Sequence, residues 1–289
     1  MGRIQQMQPE GGGMSPRPVR SGPAADPFSA ALDSRDRDIE ALVAEALSAG
    51  RLRLALQPVV GAADRRPAFQ EVLVRMLDAG GRVLPAAAFL PVVGDGALGR
   101  RIDAATLGAA LDLLAARPDL RLSVNMSARS IADGAWRRVL DSRVGPGSHL
   151  GERLILEMTE ASAMLLPEIT AGFMAEMQPR GIAFALDDFG AGPIALTHMR
   201  DFFFDLVKID RRLAPGLTAS PDDQVIVAAL ISIARQFDML SVAQGIEDAG
   251  TADLFAAMGA DCLQGFHIGV PRLAPSPGRG ASPSQAPRR

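Results

Sequence analysis

Tyrosine is absent from this 289-residue chain, tryptophan and cysteine occur once each, and aromatic residues make up only 4%. The single cysteine, Cys262, excludes an intramolecular disulfide and suits a reducing compartment, where it reads as a small buried apolar residue. An excess of either charge is missing too: 30 basic against 33 acidic residues leave a formal net charge of −3. Binding a polyphosphate backbone takes a basic stripe, so neither DNA nor RNA is an expected partner. The pairs Arg65-Arg66, Arg100-Arg101, Arg137-Arg138 and Arg211-Arg212 are scattered and read as solvated faces. No apolar run approaches the roughly 18 residues of a membrane span. No basic start followed by an apolar core marks a secretory signal, so a soluble, cytoplasmic protein is expected. His149, His198 and His267 share no metal-ligand spacing, and there is no zinc signature, nucleophile elbow or P-loop.

Hydrophobic content of 48% and charge of 22% are globular values. Residues 1–34 and 274–289 are rich in Gly, Pro, Ser and Arg without an apolar period, and are expected to be disordered tails. One domain is expected between them, over residues 36–273. Helical patterns (36–48, 106–116, about 128–140, 162–178, 222–237, 251–258) interleave with strand patterns (52–60, 69–76, 120–126, 154–158, 182–186, 204–209, 240–243, 260–263). Strands that alternate with helices imply a mostly parallel sheet. Such units over roughly 240 residues have the size of a TIM-like (β/α)₈ barrel, whose active site lies at the C-terminal strand ends.

Polar groups collect at those ends: Glu71-Val72-Leu73, Asn125-Met126-Ser127, Glu157-Met158-Thr159-Glu160, Asp187-Asp188-Phe189-Gly190 and Lys208-Ile209-Asp210. Carboxylates gathered at one end of a sheet repel one another unless positive charge sits among them, and hard cations such as Mg²⁺ or Mn²⁺ are the usual answer. Gly94-x-Gly96-x-x-Gly99 fits a dinucleotide fingerprint only superficially, because no acid ends the following strand. It reads as a turn between a short helix and a helix over 98–116.

In order and spacing these segments resemble the EAL-domain family of cyclic-di-GMP phosphodiesterases. Gln57-Pro58-Val59-Val60 resembles the family's opening strand and Glu71-Val72-Leu73-Val74-Arg75 the motif that names it. Gln264-Gly265 and Pro271 close the domain. The resemblance implies a barrel with its first strand antiparallel and a two-metal site that cuts cyclic-di-GMP to linear pGpG. It implies metal ligation by Glu71, Asn125, Glu157, Asp187 and Asp188, with Mg²⁺ or Mn²⁺ as cofactor. Lys208 would hold the attacking water or a phosphate oxygen. Gln57, Arg75, Asp210 and Gln264 would face the ligand, Glu160 would brace the loop after Asp188, and Glu247 would be a nearby carboxylate.

Two places depart from the family pattern. Ala243-Gln244-Gly245-Ile246-Glu247 stands where active members carry Ala-Glu-Gly-Val-Glu, so Gln244 occupies the general-base position with an amide that cannot take a proton. Losing such a base costs roughly 10²–10⁴ in rate. The loop Ala191-Gly192-Pro193-Ile194-Ala195 lacks the family's Thr, Tyr and Ser hydroxyls, and Pro193 restrains its backbone. The expectation is an EAL domain that binds cyclic-di-GMP with divalent metal and is a weak or inactive phosphodiesterase acting as a receptor. The alternatives are an active phosphodiesterase and a nucleotide-independent protein-interaction scaffold. A homodimer and a protein partner are further associations that the resemblance allows.

Overall fold

The computed structural model describes residues 27–145, 147–192 and 200–275. Among the described residues ten strands form one sheet: β1 (Leu52–Gly61), β2 (Pro67–Leu77), β3 (Val83–Pro85), β4 (Leu122–Asn125), β5 (Leu154–Thr159), β6 (Ala183–Phe189), β7 (Leu206–Ile209), β8 (Leu240–Ala243), β9 (Cys262–Gln264) and β10 (Arg272–Leu273). Eight of them close a barrel in the ring order β1-β2-β4-β5-β6-β7-β8-β9 and back to β1. The short link between β1 and β2 can join only antiparallel neighbours. Accordingly β1 runs antiparallel to both β2 and β9, and every other neighbouring pair in the ring is parallel. The TIM-like barrel with an antiparallel first strand is therefore present. β3 and β10, too short to carry a period, are additions to the expected set; they pair with β2 and β1.

The helices are α1 (Pro27–Ser48), α2 (Leu90–Val93), α3 (Ala97–Ala116), α4 (Ala128–Ile131), α5 (Gly134–Arg143), α6 (Glu160–Leu165), α7 (Pro167–Met177), α8 (Pro221–Gln236) and α9 (Ala249–Ala257). Several boundaries differ from expectation, and the helix read over 106–116 begins at Ala97. α1 begins at Pro27 rather than at residue 36, so 27–34, assigned to a disordered tail, is helical. The rest of that tail, and 276–289 of the other, lie outside the described residues. The helix expected over 128–140 is two, because the Asp133 side chain accepts hydrogen bonds from the Ala135 and Trp136 amides and starts a new one. The helix expected over 162–178 breaks before Pro167, whose ring cannot sit in a helix interior.

The Gly94–Gly99 segment links α2 to α3 as read. A Cβ on Gly99 would stand 2.0 Å from the Gly94 carbonyl oxygen, so close backbone packing requires glycine there. Among the described residues no helix is long and apolar enough to cross a membrane.

Side chains alternate across each strand. Outward residues such as Val72, Val124, Leu156, Leu186 and Val207 pack against the helices. Inward residues form a separate small cluster of Val59, Phe69, Ile155, Ala185, Leu206, Val242 and Cys262. Buried Ser123 supplies the β4 member of this layer. Burial pushes the Cys262 thiol up to about 11, which keeps it protonated and inert, as expected of a packing residue. Two residues further toward the C-terminal end of the barrel, each of the eight ring strands presents a polar group instead.

Candidate functional site

The step of two residues defines the site. Beyond Phe69 comes Glu71, beyond Ser123 Asn125, beyond Ile155 Glu157, beyond Ala185 Asp187, beyond Leu206 Lys208, beyond Val242 Gln244 and beyond Cys262 Gln264; in reversed β1, Gln57 precedes Val59. The ring thus carries four charged and four amide side chains above a largely apolar floor, with Glu157, Asp187 and Lys208 side by side on β5, β6 and β7.

Lys208 is its electrostatic centre. Its ammonium, fully buried, lies 2.9 Å from Glu71 Oε2, 2.8 Å from Glu157 Oε2 and 3.6 Å from Asp187 Oδ1. Burial alone would lower its pKa, but these three carboxylates raise it well above the ordinary lysine value, so it stays charged. Burial tends to raise Glu71 as well. Lys208, with hydrogen bonds donated by Gln264 and Asn125, outweighs that and leaves Glu71 lowered. Glu157 is raised: burial dominates, Lys208 opposes it, and Glu71 and Asp187 add repulsion.

The amides complete the ring. Asn125 Nδ2 donates to Glu71 Oε1 at 2.9 Å, Gln264 Nε2 to Glu71 Oε2 and to Gln57 Oε1, and Gln57 Nε2 to the Gly269 carbonyl. Gln244 Nε2 donates to Asp187 Oδ1 at 3.0 Å. Among the buried side-chain atoms, Glu157 Oε1 and Gln264 Oε1 have no hydrogen-bond partner. A buried carboxylate oxygen without a donor is costly unless a cation or water meets it. Among the described residues no three His, Cys, Asp or Glu side chains converge with metal-ligand geometry; the Lys208 ammonium sits among the carboxylates.

Asp188 leaves the ring. The β6–β7 register slips between Leu186 and Phe189, and Asp188 adopts φ +57°. A bulge of this kind re-aims a side chain, and here it turns an exposed Asp188 toward the cleft above the ring. Burial of its carboxyl, then Asp187 and Asp210, raise its pKa.

The cleft, of 460 Å³, is lined by Gln57, Glu71, Leu73, Arg75, Asp187, Asp188, Gln244, Glu247, Gln264 and, from loops, Arg211, Phe266 and Pro271. Arg75 Nη1 also donates to the Val74 carbonyl, and burial lowers its pKa while Glu71 opposes the shift. Glu247 is exposed at the rim.

Asp210 is not on the cleft wall. It is 3% exposed and its carboxylate is taken by Arg212: Oδ1 accepts from Nε at 3.0 Å and Oδ2 from Nη2 at 2.9 Å. That hydrogen bonding holds its carboxyl below the usual range. Arg212 Nη2 also donates to the Ala191 carbonyl. The Arg211-Arg212 pair is therefore no plain solvated face; the signal in the sequence was its place directly after a polar strand end. Glu160 opens α6 above β5. The loop it was expected to brace falls largely within 193–199, outside the described residues, as do Pro193, Ile194, Ala195 and His198.

The model of the EAL domain matches residues 40–271. The chain is 27% identical over 232 residues to cyclic di-GMP phosphodiesterase PdeF of Escherichia coli, covering 79% of this chain and 31% of that protein. It is 30% identical over 161 residues to the bifunctional diguanylate cyclase/cyclic di-GMP phosphodiesterase MucR of Pseudomonas aeruginosa, covering 54% and 23%. The chain thus spans about a third or less of these relatives' lengths. Among solved structures, the PaMucR phosphodiesterase in complex with c-di-GMP superposes with a TM-score of 0.72 at 26% identity, covering 81% of this chain and 97% of that one. The FimX EAL domain from Pseudomonas aeruginosa bound to c-di-GMP gives 0.72 at 25%, covering 81% and 96%.

Proposed function

Because the chain belongs to the EAL domain family, we propose that it binds cyclic-di-GMP in the cleft above the polar ring and hydrolyses it weakly or not at all, serving as a receptor. The observation that carries this reading is the hydrogen bond from Gln244 Nε2 to Asp187 Oδ1. An amide in that place donates; it cannot accept a proton from water, so it cannot serve as a general base.

Chemically, Glu71, Asn125, Glu157 and Asp187 offer the oxygens that a hard divalent cation, Mg²⁺ or Mn²⁺, takes, but they close on the Lys208 ammonium rather than in metal-ligand geometry. A cation would have to displace that ammonium, and the unpartnered Glu157 Oε1 is the oxygen it would satisfy first. A cation there would offset phosphate charge and acidify water. The Asp187–Asp188 pair suits a second one less well, since Asp187 Oδ1 already accepts from Gln244. In this reading Lys208 keeps the carboxylates compatible with an approaching phosphate diester, Arg75 meets a ligand phosphate, and Gln57 and Gln264 fix the floor of the cleft. Glu247 stands at the rim, where it touches ligand rather than reacting water. Asp210, paired with Arg212, supports the loop after Asp188 instead of the ligand.

The test is incubation of the wild type and Gln244→Glu with cyclic-di-GMP and Mn²⁺, with pGpG quantified by chromatography. A silent wild type that binds the ligand, beside a variant with turnover, is the expected result. Equal turnover in both would make the protein a working phosphodiesterase. Failure to bind at micromolar ligand would leave the protein-interaction scaffold.

A further inference from the structure

β2 and β7 lie four strands apart in either direction around the eight-membered ring, so they face each other across the barrel. Each sends one arginine to the same cleft: Arg75 from β2, and Arg211 from the turn that follows β7. Glu71, Asp187 and Asp188 line the same cleft. The cleft therefore carries two cations sent from opposite strands of the ring, together with three carboxylates. Such a pattern suits a ligand carrying two separated phosphate diesters, each drawn to a guanidinium.

Arg211 is fitted for that part. Its guanidinium has no hydrogen-bond or ion-pair partner among the described residues, unlike neighbouring Arg212, which is held by Asp210. Its backbone is fixed by close packing: a Cβ on Gly245 would stand 2.9 Å from the Arg211 Cβ and 3.0 Å from its carbonyl oxygen. Gly245 has φ +73°, so glycine there serves both the turn and this approach. A cation on an anchored backbone, with a free fork of donors, loses less freedom on binding than one on a mobile loop.

We propose that Arg211 is a ligand-binding residue that pairs with the second phosphate of the cyclic dinucleotide, opposite Arg75 on the first. The inference rests on the receptor reading above and adds a specificity element to it: selection for two phosphates placed on opposite sides of one ring.

The test is calorimetric titration of cyclic-di-GMP, with Mg²⁺ present and at several salt concentrations, into the wild type, Arg211→Ala, Arg211→Lys, Arg75→Ala, the double alanine variant and Arg138→Ala. Arg138 lies on α5, away from the cleft. Arg211→Ala should weaken binding about 10- to 100-fold and flatten its salt dependence, and Arg211→Lys should recover part of the loss. Arg138→Ala should bind as the wild type does. Because the two arginines would hold different phosphates, the double variant should lose close to the product of the single losses. A double variant no weaker than the worse single variant overturns the two-phosphate assignment. So does an Arg211→Ala protein with wild-type affinity and salt dependence, and both results leave the receptor reading standing. A wild type that binds no cyclic-di-GMP overturns both.

Discussion

Two layers of the barrel interior, built by the same strands and only two residues apart, follow opposite rules. The lower layer of Val59, Phe69, Ile155, Ala185, Leu206, Val242 and Cys262 needs nothing but itself: apolar groups leave water and pack. In the upper layer Gln57, Glu71, Glu157, Lys208 and Gln264 are as deeply buried while Asn125, Asp187 and Gln244 open toward the cleft, and each member depends on its neighbours for charge or hydrogen bonds. The lower layer holds the strands together. The upper one keeps interaction capacity unspent, most plainly at Glu157 Oε1, where a ligand or cation can use it. Only the pleat separates the two, so a strand that slipped by one residue would turn both layers out of the barrel.

The contrast is easiest to break at Lys208. Lys208→Met keeps length but strips the cation from between Glu71 and Glu157, leaving two buried carboxylates uncompensated. A loss of about 3–5 kcal/mol is expected in urea unfolding at neutral pH. Cyclic-di-GMP binding should fall with it. A loss well under 1 kcal/mol would mean that the amides, not Lys208, hold the ring together. In the lower layer, Ile155→Ala opens a cavity at a residue 3% exposed and should cost about 3 kcal/mol. Ligand affinity of the folded fraction should stay unchanged. If affinity fell as far as stability, the two layers would not be separable.

Gln244→Glu sharpens the comparison within the upper layer. The variant replaces a donor to Asp187 Oδ1 by a second carboxylate, so an attraction becomes a repulsion. In EDTA it should unfold about 1–3 kcal/mol more easily than the wild type, and Mn²⁺ should return most of that difference. Thermal unfolding with and without Mn²⁺ checks it. Equal stability in EDTA would show that the amide is a passive occupant.

Much of this was legible in the sequence, because each polar group of the ring ends a strand and each strand was an apolar run. The barrel and the gathering of Glu71, Glu157, Asp187 and Lys208 follow from that, while the antiparallel first strand comes from the resemblance to the EAL family. Positions just past the strands were harder. Asp210 was expected beside the ligand, but a turn over Arg211–Leu213 folds Arg212 back onto it, and contacts two residues apart carry no apolar period. Arg211 reads as solvated for the same reason. Its place on the cleft wall depends on Gly245, more than thirty residues away in sequence and in contact only once β7 and β8 are paired. The break before Pro167 is visible in the sequence, since a proline inside a helical pattern interrupts it.

Asp103 on α3 offers the smallest and most specific test, from outside both layers. Its Oδ2 accepts from the Ser127 amide at 3.0 Å and the Ser130 hydroxyl at 2.6 Å, which ties the start of α4 to α3 just beyond Asn125. Burial pushes its pKa up to about 6 from an ordinary 3.8, against those two hydrogen bonds. Since the folded pKa is the higher one, the native state binds the extra proton. The stability this contributes is present below about pH 4 and is lost as pH rises through about 6. Its size should be on the order of 1–2 kcal/mol, since the group is only partly buried. Asp103→Asn should remove that slope from urea midpoints measured between pH 4 and 7, while the contributions of the Lys208 ring persist. A slope unchanged in the variant would place the titrating group among the other carboxyls raised chiefly by burial, Glu157, Asp188 and Asp205.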